Sequence, residues 1–401
     1  MDLRSETPFW LIKDGFIQSY NSLKHNSKTE VLIIGAGITG ALVGYHLAQA
    51  GVEVTLVDRR HVGMGSTCAS TALLQYEIDT PLYQLIPMVG EKHAVRSYHL
   101  CLDAIDKVGD IANTVGEGKT FRNRKSFYYA SSTRHVAALK DEYELRRKHG
   151  IALSWLDKDE IADKFHFSTP AGLLSDNAAE IDAYRLTHAL LKKIIALGGK
   201  VYDKTEVKDI HYASNHVRIT TTEDCTIEAK RLVIAAGYES QKYLKQPVEN
   251  LNSTFAIISE PMPDEAIWYG NCLIWETARP YLYMRTTVDK RILVGGRDEP
   301  FYNPKRRDAL IPRKSEALKR AFEKKFPSIH YQIDYQWAGT FTETKDGLPY
   351  IGQSPERPLT YFALGFGGNG ITFSLIAAEI IRDLYMGKKN SDEAIFSFKR
   401  H

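Results

Sequence analysis

The chain has 401 residues, 43% of them hydrophobic, and sets 52 Lys and Arg against 49 Asp and Glu for a formal net charge of +3. That apolar content is enough to bury the core of one large or two smaller domains, while the near-neutral balance, without a long like-charge run, disfavours nucleic acid as a partner. The four cysteines, Cys68, Cys101, Cys225 and Cys272, are scattered with no C-x-x-C pair, which argues against a bound metal or a disulfide framework and for a reducing cytoplasm.

Residues 1–27 begin with charges and lack the apolar core of a signal peptide. They carry Trp10, Phe16 and Tyr20, the pattern of a lead-in arm that packs on the surface. No apolar run reaches the roughly 18 residues of a membrane span. Residues 31–58 then predict a strand, a glycine turn, a helix and a second strand ending in an acid, which is a Rossmann-like dinucleotide-binding unit. Gly35 permits the tight turn, Gly37 lets backbone approach a pyrophosphate, and Gly40 lets the helix pack closely on the strand. The first helical N–H groups, at Ile38 and Thr39, receive the phosphate charge together with the helix dipole. Asp58, with Arg59 beside it, stands where a carboxylate binds ribose hydroxyls. Glycines of a purely structural turn are the alternative, and the flanking elements at the right spacing weigh against it. His46 on the first helix reads as a satisfied packing histidine.

The run of small and hydroxyl residues 63–72 lets a flat ligand lie against backbone, with Gly65, Ser66 and Thr67 as candidate contacts, although an ordinary turn has the same composition. Residues 89–150 read as helical, polar on one side and apolar on the other. A helix is expected from Asp182 to the glycines at 198 and 199, followed by a strand over 200–207 and another over 231–237. Val207 is placed to lend backbone groups to an adenine, and Ala236 and Gly237 close the second strand at the cofactor. Helix followed by parallel strand implies a doubly wound sheet. Between 255 and 300, short strands separated by turn residues predict an antiparallel sheet instead.

A second G-x-G-x-x-G match, at Gly365, Gly367 and Gly370, lies between a strand at 359–364 and a helix at 371–384. Too little chain follows for another complete nucleotide unit, so this helix end is expected to aim at another part of the same cofactor. Gly367, Gly368, Asn369, Gly370 and Ile371 form the loop whose N–H groups would face a flavin pyrimidine and stabilise its anionic reduced form; Asn369 also fits as a turn residue. One dinucleotide served by two helix ends points to FAD.

Taken together, residues 31–58, 63–67, 182–185, 232–237, 346–352 and 365–370 resemble the D-amino-acid oxidase family of flavoproteins. Within it, the stretches 283–296 and 337–349 look most like the gamma-glutamylputrescine oxidase branch, with glycine and sarcosine oxidases as neighbouring branches. The resemblance implies an α/β fold with a discontinuous Rossmann-like FAD-binding domain over 28–88, 172–242 and 336–401. It also implies an α+β substrate domain, built on a mostly antiparallel sheet, over 89–171 and 243–335. The implied activity is that of an FAD-dependent amine or amino-acid oxidase or dehydrogenase. It oxidises the CH–NH bond of an amine or N-substituted amino acid by hydride transfer, and water then hydrolyses the imine.

Three departures from the family pattern carry expectations. Gly339 and Ala69 stand where relatives attach flavin covalently through Cys or His, so FAD is expected to be noncovalent. Phe341 replaces the arginine that clamps a substrate carboxylate, and Thr372, expected from the same match among the cofactor contacts, replaces a lysine just after the second glycine turn. An unpaired buried carboxylate costs several kcal/mol, on the order of a thousandfold in affinity, so glycine is excluded unless Arg297 or Arg285 substitutes for the missing cation. Strand alternation puts Arg291, Leu293, Gly295 and Arg297 on one face, and Tyr283, Arg297 and Phe341 are the expected substrate contacts, although strand Tyr and Arg also serve simply to cover apolar edges. Leu293 falls where sarcosine oxidases carry an oxygen-activating lysine, which leaves oxygen or another acceptor open. Oxidation of a 2-hydroxy acid or polyol phosphate is the alternative on the same cofactor. An FAD protein acting on tRNA is a third reading, and the near-neutral charge disfavours it.

Overall fold

The computed structural model describes residues 1–5, 7–263 and 268–400. Its first sheet has eight strands. Six run in the order Tyr350–Gln353, Thr360–Leu364, Thr226–Ile234, Ser27–Ile34, Val54–Val57 and Lys200–Tyr202, and all these pairings are parallel except that of the first two. Ser27–Ile34 sits centrally because Val31 to Ile34 is apolar on both faces, as a buried parallel strand must be. On one face Val31, Ile33, Val54 and Leu56 pack against the helices Ile38–Gln49, Ala183–Ala196 and Gly370–Tyr385. The opposite face, with Leu32, Ile34 and Leu232, is covered by Val217 and Ile219 of the hairpin Val207–Tyr212 and Val217–Thr221 rather than by helices, which corrects the doubly wound expectation. The continuous strand expected over 200–207 is likewise broken: it ends at Tyr202, and Val207 opens the hairpin.

The second sheet has nine strands. Ile333–Glu343, Asn250–Ser259, Ile292–Glu299, Leu282–Thr286 and Leu273–Glu276 form the antiparallel run anticipated between 255 and 300. Leu273–Glu276 then pairs parallel to Arg122–Tyr129, which continues through Ala171–Glu180 to Leu73–Gln75, with Leu153–Asp157 on the side. Strands on both sides of the expected boundaries at 172 and 336 therefore share this sheet. The stretch 89–150 is not helical throughout: the strand Arg122–Tyr129 separates the helices Glu91–Thr114 and Val136–Lys148. Its inner half, Ser126 to Tyr129, is buried on both sides, and tertiary packing there overrides the helical periodicity of its surroundings.

The N-terminal arm is built into the structure. Leu3 pairs with Thr340 and Ser5 with Ala338 through backbone hydrogen bonds, and Phe9 and Trp10 are buried beside Trp337 and Leu293. A buried ion pair ties the loop after Leu73–Gln75 to the helix Val136–Lys148. Arg146 Nε donates to Glu142 Oε1 at 2.7 Å and its Nη1 to the Tyr76 hydroxyl at 3.2 Å, while the Glu142 oxygens accept the N–H groups of Leu82 and Tyr83 at 3.0 Å each. Glu142 thereby satisfies the otherwise orphaned N-terminus of the helix Leu82–Val89. Among the described residues no helix is long and apolar enough to cross a membrane.

Removing one partner of a buried pair leaves the other charge uncompensated. Arg146→Ala is therefore expected to lower unfolding free energy by about 3–5 kcal/mol in urea titration, and a change below about 1 kcal/mol would contradict this role.

Candidate cofactor and substrate groove

A single groove runs past the C-terminal ends of the parallel strands, where ligands of open α/β sheets bind, and on to the face of the second sheet. It encloses about 1940 Å³ of empty space, its open mouth included. At its nucleotide end Asp58 Oδ2 accepts the Ala36 N–H and its Oδ1 the Arg60 N–H, both at 2.9 Å. Burial pushes the Asp58 carboxyl up, against those two hydrogen bonds. Val207, Ala236, Gly237, Lys242 and Tyr243 line the same end, where Arg59 and Arg60 pair with the buried Glu239 at 2.7 and 2.9 Å.

The middle of the groove fits a pyrophosphate. Gly35 has φ +105°, and a Cβ there would overlap the Ala235 carbonyl. A Cβ on Gly40 would overlap the Gly35 carbonyl oxygen, so Gly40 serves helix packing and does not line the groove. Gly37, Ile38, Thr39, Gly65, Ser66 and Thr67 do line it. The helix Ile38–Gln49 has no side chain of its own at its cap; Ile38 N–H is met by Thr67 Oγ1 at 3.0 Å, and Ser66 Oγ is buried with no partner. Glycines that admit a close ligand, a helix N-terminus and an orphaned hydroxyl suit an anionic dinucleotide.

Beyond it, residues 69–73 form a backbone platform fixed from behind. Trp337 Nε1 donates to the Ala69 carbonyl at 3.0 Å, Trp10 Nε1 to that of Ser70 at 2.6 Å, and Arg285 Nη1 to that of Ala72 at 3.4 Å. Gly339, Gly367, Gly368, Asn369, Gly370 and Ile371 also line the groove. Asn369 lines the groove, but its amide donates to the carbonyls of Gln75 and Glu77 at 3.0 and 2.9 Å and so locks the loop to the platform's continuation. Thr372 is buried behind the loop, its hydroxyl on the Asn369 carbonyl at 2.9 Å, and does not reach the groove. Ala69 and Gly339 carry no nucleophile. Cys68 is turned out of the groove onto the Gly65 carbonyl, and burial pushes its thiol up to about 11. His46 is buried and bonded to the Leu42 carbonyl at 2.9 Å, as a packing histidine should be.

The far end holds Trp275, Tyr281, Tyr283, Phe341, Asp79 and Asp298. Tyr283 faces Gly295 on the neighbouring strand, and its ring lies across the space a Cβ would take. Tyr281 Oη donates to Asp79 Oδ1 at 3.1 Å, and Gly368 N–H to Asp79 Oδ2 at 2.7 Å. Arg297, expected here, lies elsewhere: it is exposed, has φ +60° and is outside the groove. The pairing of Ile292–Glu299 with Asn250–Ser259 slips by one residue between Ser253 and Phe255, so a β-bulge follows Gly296 (φ +128°) and reverses the alternation. Asp298 takes the position that regular alternation gives to Arg297. Arg285 is sunk behind the platform, 5.4 Å from the Trp10 ring and 3.6 Å from Glu180 Oε2, and does not line the groove either. Burial pushes the Asp298 carboxyl up to about 7.

Asp79, Asp298, Trp275 and Tyr281 escaped the sequence reading. The Gly295–Gly296 doublet was the available signal for Asp298, since glycines inside a strand mark bulges. Asp79 had none, because it acts from an irregular loop.

A groove of this shape on this fold is that of a dinucleotide-dependent redox enzyme, and comparison with known proteins defines the kind. Residues 30–384 match the family described as FAD dependent oxidoreductase, and the chain belongs to that family. It is 26% identical over 383 residues to a glycine oxidase of Bacillus licheniformis, covering 92% of this chain and 96% of that one. It is 24% identical over 398 residues to the gamma-glutamylputrescine oxidoreductase of Escherichia coli, covering 92% and 86%. Its fold superposes on the crystal structure of glycine oxidase from Geobacillus kaustophilus with a TM-score of 0.79 at 21% identity, over 94% of this chain and 100% of that one.

With Ala69 and Gly339 at the positions of attachment, all flavin is expected in the supernatant after acid precipitation of the holoenzyme. A yellow pellet would show a covalent link.

Proposed function

We propose that this protein oxidises the CH–NH bond of a small amine that carries no carboxylate beside the nitrogen, with noncovalent FAD as oxidant. One observation carries the reading: the far end of the groove presents two carboxylates, Asp79 and Asp298, and no cation among the described lining residues there. The lining cations Arg59, Arg60 and Lys242 all stand at the nucleotide end, two of them paired with Glu239. An ammonium group is attracted by that end, whereas an amino-acid carboxylate, a 2-hydroxy acid or a polyol phosphate meets like charge, which costs several kcal/mol.

FAD supplies the two-electron acceptor. The residues of the chain bind and orient it. Asp58 and Val207 are assigned to the adenosine, Gly37 to Thr39 with Ser66 and Thr67 to the pyrophosphate, and Gly367, Gly370 and Ile371 to the flavin pyrimidine, where the helix dipole favours negative charge. The N–H groups of Gly368 and Asn369 between them are held by Asp79 and the Phe366 carbonyl. The platform at residues 69–73 would back the ring, and Trp275, Tyr281, Tyr283 and Phe341, which line the far end, would enclose the substrate and exclude water. The imine formed by loss of hydride is hydrolysed by water.

Anaerobic mixing with a panel of amines, amino acids and 2-hydroxy acids is expected to bleach the flavin with amines first. Bleaching by hydroxy acids alone would reverse the reading. The resemblance puts Leu293 at the position of the oxygen-activating lysine, and Leu293 is fully buried in the apolar cluster with Trp337 and Cys68. Reoxidation by oxygen is therefore expected to be slower than by artificial acceptors in stopped flow, and fast oxygen reoxidation would overturn that inference.

A further inference from the structure

An amine surrenders hydride from the adjacent carbon only as the free base, because the nitrogen lone pair must assist, yet simple alkyl amines are protonated near neutral pH. A group that takes a proton from the arriving ammonium lets the site use the form that predominates in solution. We propose that Asp298 is that group: its carboxylate binds the substrate ammonium and accepts one N–H proton. This rests on the amine reading above.

The geometry separates Asp298 from its neighbours. Both oxygens of Asp79 are engaged, by the Tyr281 hydroxyl and the Gly368 N–H. Asp298 Oδ1 is shielded from solvent and has no hydrogen-bond partner, and the residue lines the groove beside Tyr281 and Tyr283. The bulge holds it there by turning Arg297 outward. The titratable groups facing it are Asp79 from the loop after Leu73–Gln75, Tyr281 and Tyr283 from the adjacent strand, Glu343 from Ile333–Glu343 and Lys314 from the helix Pro304–Lys325. Lys314 is engaged by Glu299 at 2.6 Å and the Arg297 carbonyl at 2.7 Å, so it leaves the negative charge in place. Burial raises the Asp298 carboxyl to about 7, with the Thr254 hydroxyl opposing, which brings it near working pH as a proton acceptor should be.

The step balances. An N–H bond of the ammonium breaks, its electron pair remains on nitrogen as the lone pair, and an O–H bond forms on Asp298. The amine is then neutral, and the C–H electron pair leaves as hydride to FAD. When the imine is hydrolysed and product departs, Asp298 returns its proton to solvent.

The test uses holoenzyme and the variants Asp298→Asn and Asp298→Glu. In anaerobic stopped flow, the second-order rate of flavin reduction by an amine is expected to rise with pH to a plateau above about 7 in the wild type. In Asp298→Asn it should fall about a hundredfold near neutral pH and climb steadily toward the amine's own pKa, with Asp298→Glu restoring the plateau. A second readout needs no turnover. tert-Butylamine has no hydrogen on the carbon beside nitrogen and cannot be oxidised, so its binding is followed by calorimetry in buffers of different ionisation enthalpy. Wild type should release close to one proton at about pH 6 and none at about pH 8.5, whereas release by Asp298→Asn should not change between the two. A wild-type pH profile or proton count retained in Asp298→Asn overturns the proposal alone. A wild type that no amine bleaches overturns the functional reading beneath it.

Discussion

A one-residue slip between two strands decides the charge at the far end of the groove. The bulge after Gly296 sends Arg297 to solvent and brings Asp298 inward. Without it, the regular alternation of a β-strand would place a guanidinium beside Tyr283, and the site would suit a carboxylate. Bulges occur beside active sites because they re-aim side chains without rebuilding the sheet. Here that re-aiming gives the far end a carboxylate in place of a guanidinium, and the proposed preference for an amine is built on it.

The rest of the structure holds the groove rigid enough for that preference to count. Two indoles, Trp10 from the arm and Trp337 from the second sheet, donate to consecutive carbonyls of the platform, and Asn369 ties the loop at the last helix to its continuation at Gln75 and Glu77. The arm and both sheets thus converge on one stretch of backbone. The buried Arg146–Glu142 pair holds the continuation of that stretch, which carries Asp79, against the helix Val136–Lys148. These are net contributions of about 1 kcal/mol per hydrogen bond, more where a charge is buried, and their value is geometric: they fix where the walls stand.

Local pattern made the nucleotide half legible. The glycine spacing at Gly35, Gly37 and Gly40 and the acid at Asp58 specify a strand–turn–helix–strand unit whose parts are close in sequence. The loop from Gly367 to Ile371 was read the same way, as a helix start. The substrate half was read less well because its geometry is non-local. Arg122–Tyr129 is a strand only because it fits between Leu273–Glu276 and Ala171–Glu180, and its own polar start gives no warning of this. Arg297 was assigned by alternation, a rule that fails at a bulge. Thr372 was assigned by alignment to a motif, but its hydroxyl turns back onto the Asn369 carbonyl.

The central claim is that the far end of the groove selects positive charge. Two probes that share a tert-butyl group and differ in the sign of their charge, tert-butylamine and pivalate, test it most directly when titrated into the oxidised holoenzyme at about pH 8 and followed by perturbation of the flavin spectrum. The amine is expected to bind at least tenfold more tightly, a difference of about 1.4 kcal/mol. Tighter binding of pivalate would show that a cation governs the site, and the account built on the bulge would be wrong.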